Sequence, residues 1–577
     1  MGRTESTRVI PNDHLSYLPP LNLSHHFSEA VKRREGSSVK EFYKYFAIPG
    51  IHNLAGGLPH VSSFPFDTLS ATAAPPTRFG TASSSSQPAR STRITIPKES
   101  NNPDVSKKID LSTALQYGAV EGYPPLFGFI RQFVRENLHP DVPYAGGPEV
   151  IMTCGSTDGF SKTIEALTNI WGQGKNRIME REGILCEEFA YMNAIQTVRP
   201  RGLNVVPVAM DVDGMEIDGI HGLAHILENW DYRRGKRPHL LYTVSIGQNP
   251  TGAVVPPERR IQIYALCQRY DIIIIEDEPY WNLQYRHTNY SVPASGNLRP
   301  TKHNNISGLN APKKSSGFDF LDSLTSSYLS IDTDGRVVRL DTFSKTIAPG
   351  CRLGWLTAQP LIVERILRIA ETSTQNPSGF VQVMVAGLIM GDQNSSSHPK
   401  AVNSAWKVDG WVRWLEGLRG NYEERMKSMC SVLEQGKYGI VHGDITPVKS
   451  NEHDVLDEWE VVDKIQMFDF TWPRAGMFVW LKICLQSHPL ASQVEMEKLS
   501  QALWKYLTTK PYLCLVAPGQ MFGPTQEIKQ RGSMYMRLCF APMSEEDVSV
   551  SSHNLVEGFG SFWQIKDKGR IADLLED

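Results

Sequence analysis

The sequence predicts an α/β fold, on three observations. Short apolar strands alternate with helical segments through its middle. One strand, residues 271–275 (DIIII), is an unbroken β-branched run of the kind buried on both faces of a parallel sheet. And each polar cluster able to carry chemistry comes directly after a strand. In order, residues 147–153 (GPEVIMT) read as a strand and 158–170 as a helix, with Phe160, Ile164, Leu167 and Ile170 at helical spacing. Residues 239–244 (HLLYTV) are strand-like. Residues 258–270 read as a helix carrying Ile261, Tyr264, Ala265 and Leu266, and 337–340 (VVRL) as another strand. After about residue 386 the pattern changes. A long polar helix over 411–435 precedes strands at 476–481 (GMFVWL) and 533–540 (SMYMRLCF), which predicts a second, smaller α+β domain. The first ~50 residues are expected to pack against that domain, as a docked chain start does.

The 577 residues exceed one compact core and suit two or three domains. The division read here is an arm and part of the small domain over 1–60, a large domain over 61–385 and a small domain over 386–577. Four polar stretches, near 70–108, 286–326, 391–405 and 445–463, read as surface excursions whose composition buries too little apolar area to offset ordering. With 59 basic against 62 acidic residues, no cationic field for nucleic acid exists, and no apolar run reaches the ~20 residues of a membrane span. The eight cysteines are scattered without a C-x-x-C pair, so no metal site is expected. The start of the chain lacks the apolar core of a signal peptide, and the cytoplasm is the expected compartment.

In an open α/β sheet ligands bind at the carboxyl ends of the strands. The clusters found there are 154–159 (CGSTDG), 247–252 (GQNPTG), 276–280 (EDEPY) and 341–345 (DTFSK), the last followed by 351–355 (CRLGW). A Gly-Ser-Thr turn opening a helix offers N–H groups, hydroxyls and a positive dipole end to an anion. Ser344 and Arg352 add a hydroxyl and a guanidinium, which suits a phosphate. Lys345 beside them can form a Schiff base with an aldehyde. One of the three acids Glu276, Asp277 and Glu278 can pair with a protonated ring nitrogen. Phosphate, aldehyde and pyridinium together describe pyridoxal 5′-phosphate (PLP).

The run 344–355 (SKTIAPGCRLGW) resembles the cofactor-lysine segment of the class I/II aminotransferases, which have the type I PLP fold, and so does 249–252 (NPTG). Residues 54–59 (LAGGLP) with 64–66 (FPF), residues 115–118 (LQYG) and residues 371–379 (ETSTQNPSG) are similar to the subgroup of kynurenine/2-aminoadipate and fungal aromatic amino acid aminotransferases. The resemblance spans about residues 24–542 and implies a large domain with a mostly parallel seven-stranded sheet. It implies Lys345 as the Schiff-base lysine and proton shuttle. Asp277, which stands three residues before Tyr280 as the family's acid does, would hold the ring nitrogen protonated. Tyr280 and Asn249 would bond the ring 3′-oxygen, Tyr191 would stack on the ring, and Ser156, Thr157, Ser344 and Arg352 would cradle the phosphate. Arg537 would grip the substrate carboxylate, with Asn249, Gly57 and Leu58 also lining the substrate. Tyr117 would reach the phosphate of a neighbouring subunit, which makes a homodimer with shared active sites the expected assembly. The implied reaction is ping-pong transfer of an amino group from an aromatic or related L-amino acid to a 2-oxo acid such as 2-oxoglutarate.

Two departures bear on substrate choice. Kynurenine-type enzymes carry Ser-Pro-Ile-Arg before the Ala-Gly-Gly-Leu-Pro run, whereas this chain has Ser37-Ser38-Val39-Lys40, and lysine lacks the planar fork of arginine. Trp281 follows Tyr280 where many relatives have a second Tyr or Phe. A carbon–sulfur lyase or decarboxylase on the same fold would use the same residues. A PLP-binding transcriptional regulator would need a DNA-binding domain, and the ~50 residues ahead of the fold show no helix-turn-helix pattern.

Overall fold

A computed structural model of the chain describes residues 17–37, 45, 48–79, 91–286, 314–391, 406–442 and 462–576. Two strands, β1 (Thr68–Ala73) and β2 (Thr92–Pro97), form an antiparallel hairpin. The large sheet follows with β3 (Glu149–Thr153), β4 (Gly183–Glu187) and β5 (Asn204–Val208). A two-residue ribbon, β6 (Met210–Asp211) and β7 (Gly214–Met215), interrupts it before β8 (Leu240–Thr243), β9 (Ile273–Asp277), β10 (Val337–Thr342) and β11 (Gly354–Ala358). The spatial order is β3-β11-β10-β9-β8-β4-β5. Only β11 runs antiparallel, against both β3 and β10, so the seven strands match the expected mostly parallel sheet.

Burial on both faces accounts for the β-branched run. Ile273 and Ile275 point into one core layer with the helices Ser156–Leu167 and Pro360–Glu371. Ile274 points into the opposite layer with the helix Pro257–Arg269. The helix expected over 158–170 begins two residues earlier and ends at Leu167. There the Thr168 hydroxyl donates to the Ile164 carbonyl oxygen at 2.6 Å and the backbone turns extended, leaving Ile170 on the surface.

A second sheet has its own core. After the ribbon β12 (Tyr438–His442) and β13 (Val462–Gln466) come β14 (Phe468–Phe470), β15 (Phe478–Ile483), β16 (Ala517–Pro518) and β17 (Tyr535–Cys539), in the order β14-β15-β17-β16. The helices Met496–Thr508 and Glu545–Phe562 pack on it. The 30-residue helix Lys407–Gly436 belongs to both bodies. Its first half places Trp411, Val412, Trp414 and Leu415 in the large core, and its second half places Met426, Met429, Cys430 and Leu433 in the small one. No helix among the described residues is long and apolar enough to cross a membrane.

Three expectations are corrected. The stretch near 70–108 is not only a surface excursion. Alternation of Arg93, Ile94, Thr95 and Ile96 builds β2, whose two isoleucines are buried against the helix Gly379–Ile389. In the second stretch residues 287–313 lie outside the described residues, but Phe320, Leu321 and Leu324 return to the large core. The remaining two stretches, 392–405 and most of 445–463, also lie outside. Finally, the described part of the N-terminal arm docks on the large body. Leu23, Phe27 and Val31 enter the core layer of the large sheet, and Ser28 donates from N to Ala166 O at 2.7 Å and from Oγ to Glu165 O at 2.8 Å. Leu23, Phe27 and Val31 sit on two short helical turns joined by extended backbone at Phe27 and Ser28, and all three reach the same core layer.

The two bodies meet backbone to backbone at Gly247 (φ +61°) and Gly476 (φ +82°). A methyl group on Gly247 would come within 2.5 Å of Gly476 Cα. Gly247→Ala is therefore expected to lower stability by about 1–3 kcal/mol, through overpacking and a left-handed backbone together; denaturant unfolding of the purified variant measures it.

Candidate active site

Pleating sends Glu276 and Glu278 to one side of β9 and Asp277 to the other. Glu276 is spoken for: it accepts from Tyr328 N at 3.1 Å and from the Ser327 hydroxyl, and ion-pairs with Arg260 at 3.5 Å and Arg339 at 3.4 Å. Glu278 accepts from Ser245 N at 2.9 Å and from the Ser245 hydroxyl. Asp277 accepts from Tyr242 Oη, at 2.9 Å on Oδ2, and its buried Oδ1, like Glu278 Oε2, has no hydrogen-bond partner. Burial pushes its carboxyl up to about 6, opposed by Tyr242 and the nearby Ser156 side chain. A buried carboxylate oxygen left idle at a strand's carboxyl end suits a cationic N–H donor.

At the end of β3, Gly155 (φ +90°) starts the helix Ser156–Leu167, with no side-chain cap on its first amides. Arg352 leans over this turn, donating from Nη2 to Cys154 O at 3.0 Å. A Cβ on Gly155 would sit 2.7 Å from that nitrogen. Uncapped amides, a guanidinium without a carboxylate partner among the described residues and a glycine that keeps the space open make an anion cradle. Thr157 is exposed and Ser156 half-buried at its lip. Ser344 lies in the turn after β10, its Oγ 2.8 Å from Thr342 Oγ1. Lys345 follows, half-buried, with no acid at ion-pair distance among the described residues. Its ammonium lies near Cys539, whose thiol it favours in the ionised form against burial. Trp414 Nε1 donates to Thr346 O at 2.8 Å and so pins the lysine's turn to the long shared helix.

The small sheet contributes Arg537, where the sequence placed a guanidinium inside an apolar strand. Nη1 donates to Asn249 Oδ1 at 2.8 Å. The guanidinium carbon stands 4.5 Å from the Phe478 ring centre and 4.9 Å from that of Phe522. Burial lowers its proton affinity, and no acid among the described residues pairs with it. Tyr280 packs edge-on to Phe478 at 5.7 Å, and Tyr191 opens the helix Met192–Val198 with its hydroxyl 2.8 Å from Asn193 Nδ2. Both tyrosines lie within electrostatic reach of Arg537.

Idle carboxylate, anion cradle, unpaired lysine and unpaired arginine converge around the strand ends, and this donor set fits PLP with an amino acid. Gly57, Leu58 and Tyr117 are not brought in. Gly57 and Tyr117 are exposed, the latter 57%, and their segments touch each other, Gln116 Nε2 donating to Pro59 O at 2.7 Å. Lys40 lies outside the described residues. Sequence reasoning missed Tyr242, Thr342, Phe478, Phe522 and Cys539. Tyr242 and Phe478 each sat in a strand already identified, but the facing that aims them at Asp277 and Arg537 depends on register. A separate cavity of about 290 Å³, lined by Phe189, Thr251, Trp480, Lys482 and Tyr535 among others, lies behind the 247–252 loop and includes neither Lys345 nor Asp277.

The model of the family "Aminotransferase class I and II" matches residues 103–552. An aromatic amino acid aminotransferase of Schizosaccharomyces pombe is 34% identical over 80% of this chain and 82% of its own length. An L-tyrosine:2-oxoglutarate aminotransferase of Tapinella panuoides is 30% identical over 81% and 75%. The crystal structure of aminotransferase Aro8 from Candida albicans superposes with a TM-score of 0.73 at 28% identity, covering 95% of this chain and all of that one.

The raised carboxyl of Asp277 predicts a pH dependence of the cofactor-free protein. Its proton leaves the unfolded chain near pH 4 and the folded chain only near pH 6, so stability present below about pH 4 is lost through that window and stays lost above it. Asp277→Asn removes this contribution. Urea unfolding at several pH values should show the variant flatter than the parent between about pH 4 and pH 6, by an amount on the order of 2 kcal/mol.

Proposed function

The chain belongs to the aminotransferase class I and II family, and from that premise we propose that it moves the amino group of an aromatic L-amino acid to a 2-oxo acid such as 2-oxoglutarate, with PLP on Lys345. The observation that carries the reading is Arg537, a part-buried guanidinium without a carboxylate, flanked by Phe478 and Phe522 and tied to Asn249. It offers two N–H groups to the α-carboxylate of an amino acid in a wall that is otherwise aromatic. The names of the fungal relatives support aromatic donors and 2-oxoglutarate as acceptor.

PLP, when bound, supplies an aldehyde that takes up the amino group and a ring that accepts the electron pair left on the α-carbon. The chain's residues do the rest. The cradle of Arg352, Ser344, Ser156, Thr157 and the helix start holds the phosphate. Asp277, held by Tyr242, keeps the ring nitrogen protonated. Asn249 spends its carbonyl oxygen on Arg537, which leaves its Nδ2 to donate to the ring 3′-oxygen beside Tyr280. Tyr191 covers the ring face. Lys345, freed from the aldehyde carbon by the incoming amine, would take the α-proton on Nζ and deliver it to that aldehyde carbon within the same half-reaction, and would run the transfer in reverse in the second. Gly57, Leu58 and Tyr117 belong to a dimer interface in this reading. The run around them leaves Ile48, Ile51, Leu54 and Tyr117 exposed, Leu54 by 97%, and a second subunit would cover it.

The decisive experiment is visible absorbance of the PLP-loaded protein. Phenylalanine should abolish the cofactor band and 2-oxoglutarate should restore it; amino acid consumption independent of a 2-oxo acid would replace this reading with a lyase. Lys345→Ala should lose all turnover. Arg537→Ala should keep the cofactor band but lose at least about 100-fold in kcat/KM for the amino acid. Sedimentation should give twice the 64.7 kDa chain mass; a fully active monomer would remove Tyr117 from the site.

A further inference from the structure

On the face of the large body that carries the N-terminal arm, away from the strand ends that bear the active site, the turn Ser24–His26 meets the loop that leads into β9. His25 Nε2 stands 2.6 Å from Asp271 Oδ2, and His26 Nε2 stands 3.2 Å from Asp271 Oδ1. All three ligand atoms lie within 4.8 Å of one another. His26 is nine-tenths buried, yet its Nε2 has no hydrogen-bond partner, because its geometry to Asp271 is not that of a bond.

An ion pair between His25 and Asp271 would need neither His26 nor its idle nitrogen. We infer that His25, His26 and Asp271 form a zinc-binding site that clamps the N-terminal arm to the large body, with water as the fourth ligand. Bonds of about 2.1 Å in a tetrahedron separate ligand atoms by about 3.4 Å. The three ligand atoms lie within 4.8 Å of one another, so small side-chain shifts bring them to that spacing. Two imidazoles and one carboxylate are a donor set suited to zinc. His26 is held in place by burial, with its Nε2 3.2 Å from Asp271. His239 stacks behind it at 5.4 Å, with its own Nε2 on Leu167 O at 3.0 Å. Arg336 faces the carboxylate, Nη1 at 3.5 Å from Oδ1, and is itself fixed by Asp334 at 2.7 Å and Ile272 O at 3.0 Å. It thereby orients Asp271 from outside the ligand set and leaves Oδ2 to the ion. The clamp would fix the point from which the chain sets out toward Gly57 and Leu58.

The test uses untagged holoenzyme, stripped with a chelator, desalted and titrated with zinc chloride by calorimetry, with bound zinc counted by elemental analysis. One zinc per chain is expected, accompanied by a higher unfolding temperature. His26→Ala and Asp271→Asn should bind it at least about tenfold more weakly and show no zinc-dependent stabilisation. Asparagine tolerates the left-handed backbone at residue 271 (φ +54°), so Asp271→Asn remains informative if His26→Ala fails to fold. Cobalt in place of zinc should give a visible tetrahedral band in the parent alone. No retained zinc, or equal affinity in parent and both variants, overturns the site.

Discussion

A guanidinium with no access to solvent, that of Arg339, holds together the strand ends on which the candidate site is built. It makes two 2.9 Å bonds to Asp341, reaches Glu276 at 3.4 Å and lies 5.0 Å over the Trp281 ring. Removing either partner would strand a charge in a dry interior at a cost of several kcal/mol. The ends of β9 and β10 are thus locked in register two residues before Phe343 begins the turn that carries Ser344 and Lys345, and one residue before Asp277. The same cation tempers the field at Asp277, where Asp341 pushes the carboxyl up and Arg339 pulls it down. Lys345 and Asp277 are loop and strand-end residues, and their mutual placement is inherited from this buried pairing.

The second constraint is that the site spans two bodies. Arg537 belongs to the small sheet and Asn249 to the large one, and one 2.8 Å bond joins them. That bond is possible because Gly247 and Gly476 let the backbones close without intervening side chains. Any relative movement of the bodies changes the distance between Arg537 and Lys345 at the same time. Under the proposed roles, substrate binding and alignment for proton transfer would be one mechanical event.

Four of the seven large-sheet strands, β3, β8, β9 and β10, and the polar clusters at their ends were legible in the sequence because parallel-sheet strands are apolar throughout, whereas β4, β5 and β11 were not singled out. The hairpin β1–β2 was not, since its alternating isoleucines adjoin a serine-rich stretch of low complexity. The docking of the arm was misjudged because two short turns do not say which of two cores they face. At the site, Lys345 and Arg352 stood out by residue type and spacing, while Asp277 was separated from Glu276 and Glu278 only by the resemblance to the family pattern. Tyr242, Phe478 and Phe522 are ordinary core aromatics in sequence, and only strand register and the meeting of two sheets turn them toward Asp277 and Arg537. Gly57, Leu58 and Tyr117 lie apart from the site, and their expected roles rest on the proposed second subunit.

The helix Lys407–Gly436 donates four large side chains to each core. The chain therefore cannot be divided at the obvious seam into two pieces that are each complete. A fragment that stops before this helix would leave an open cleft where Trp411 and Trp414 belong and would lose the indole that pins the turn of Lys345. A fragment that begins with it would carry those tryptophans exposed to water. Such a chain should tolerate insertions at its loops far more readily than being cut in two, and its ribosomal synthesis must pass Leu415 before even the large core can close.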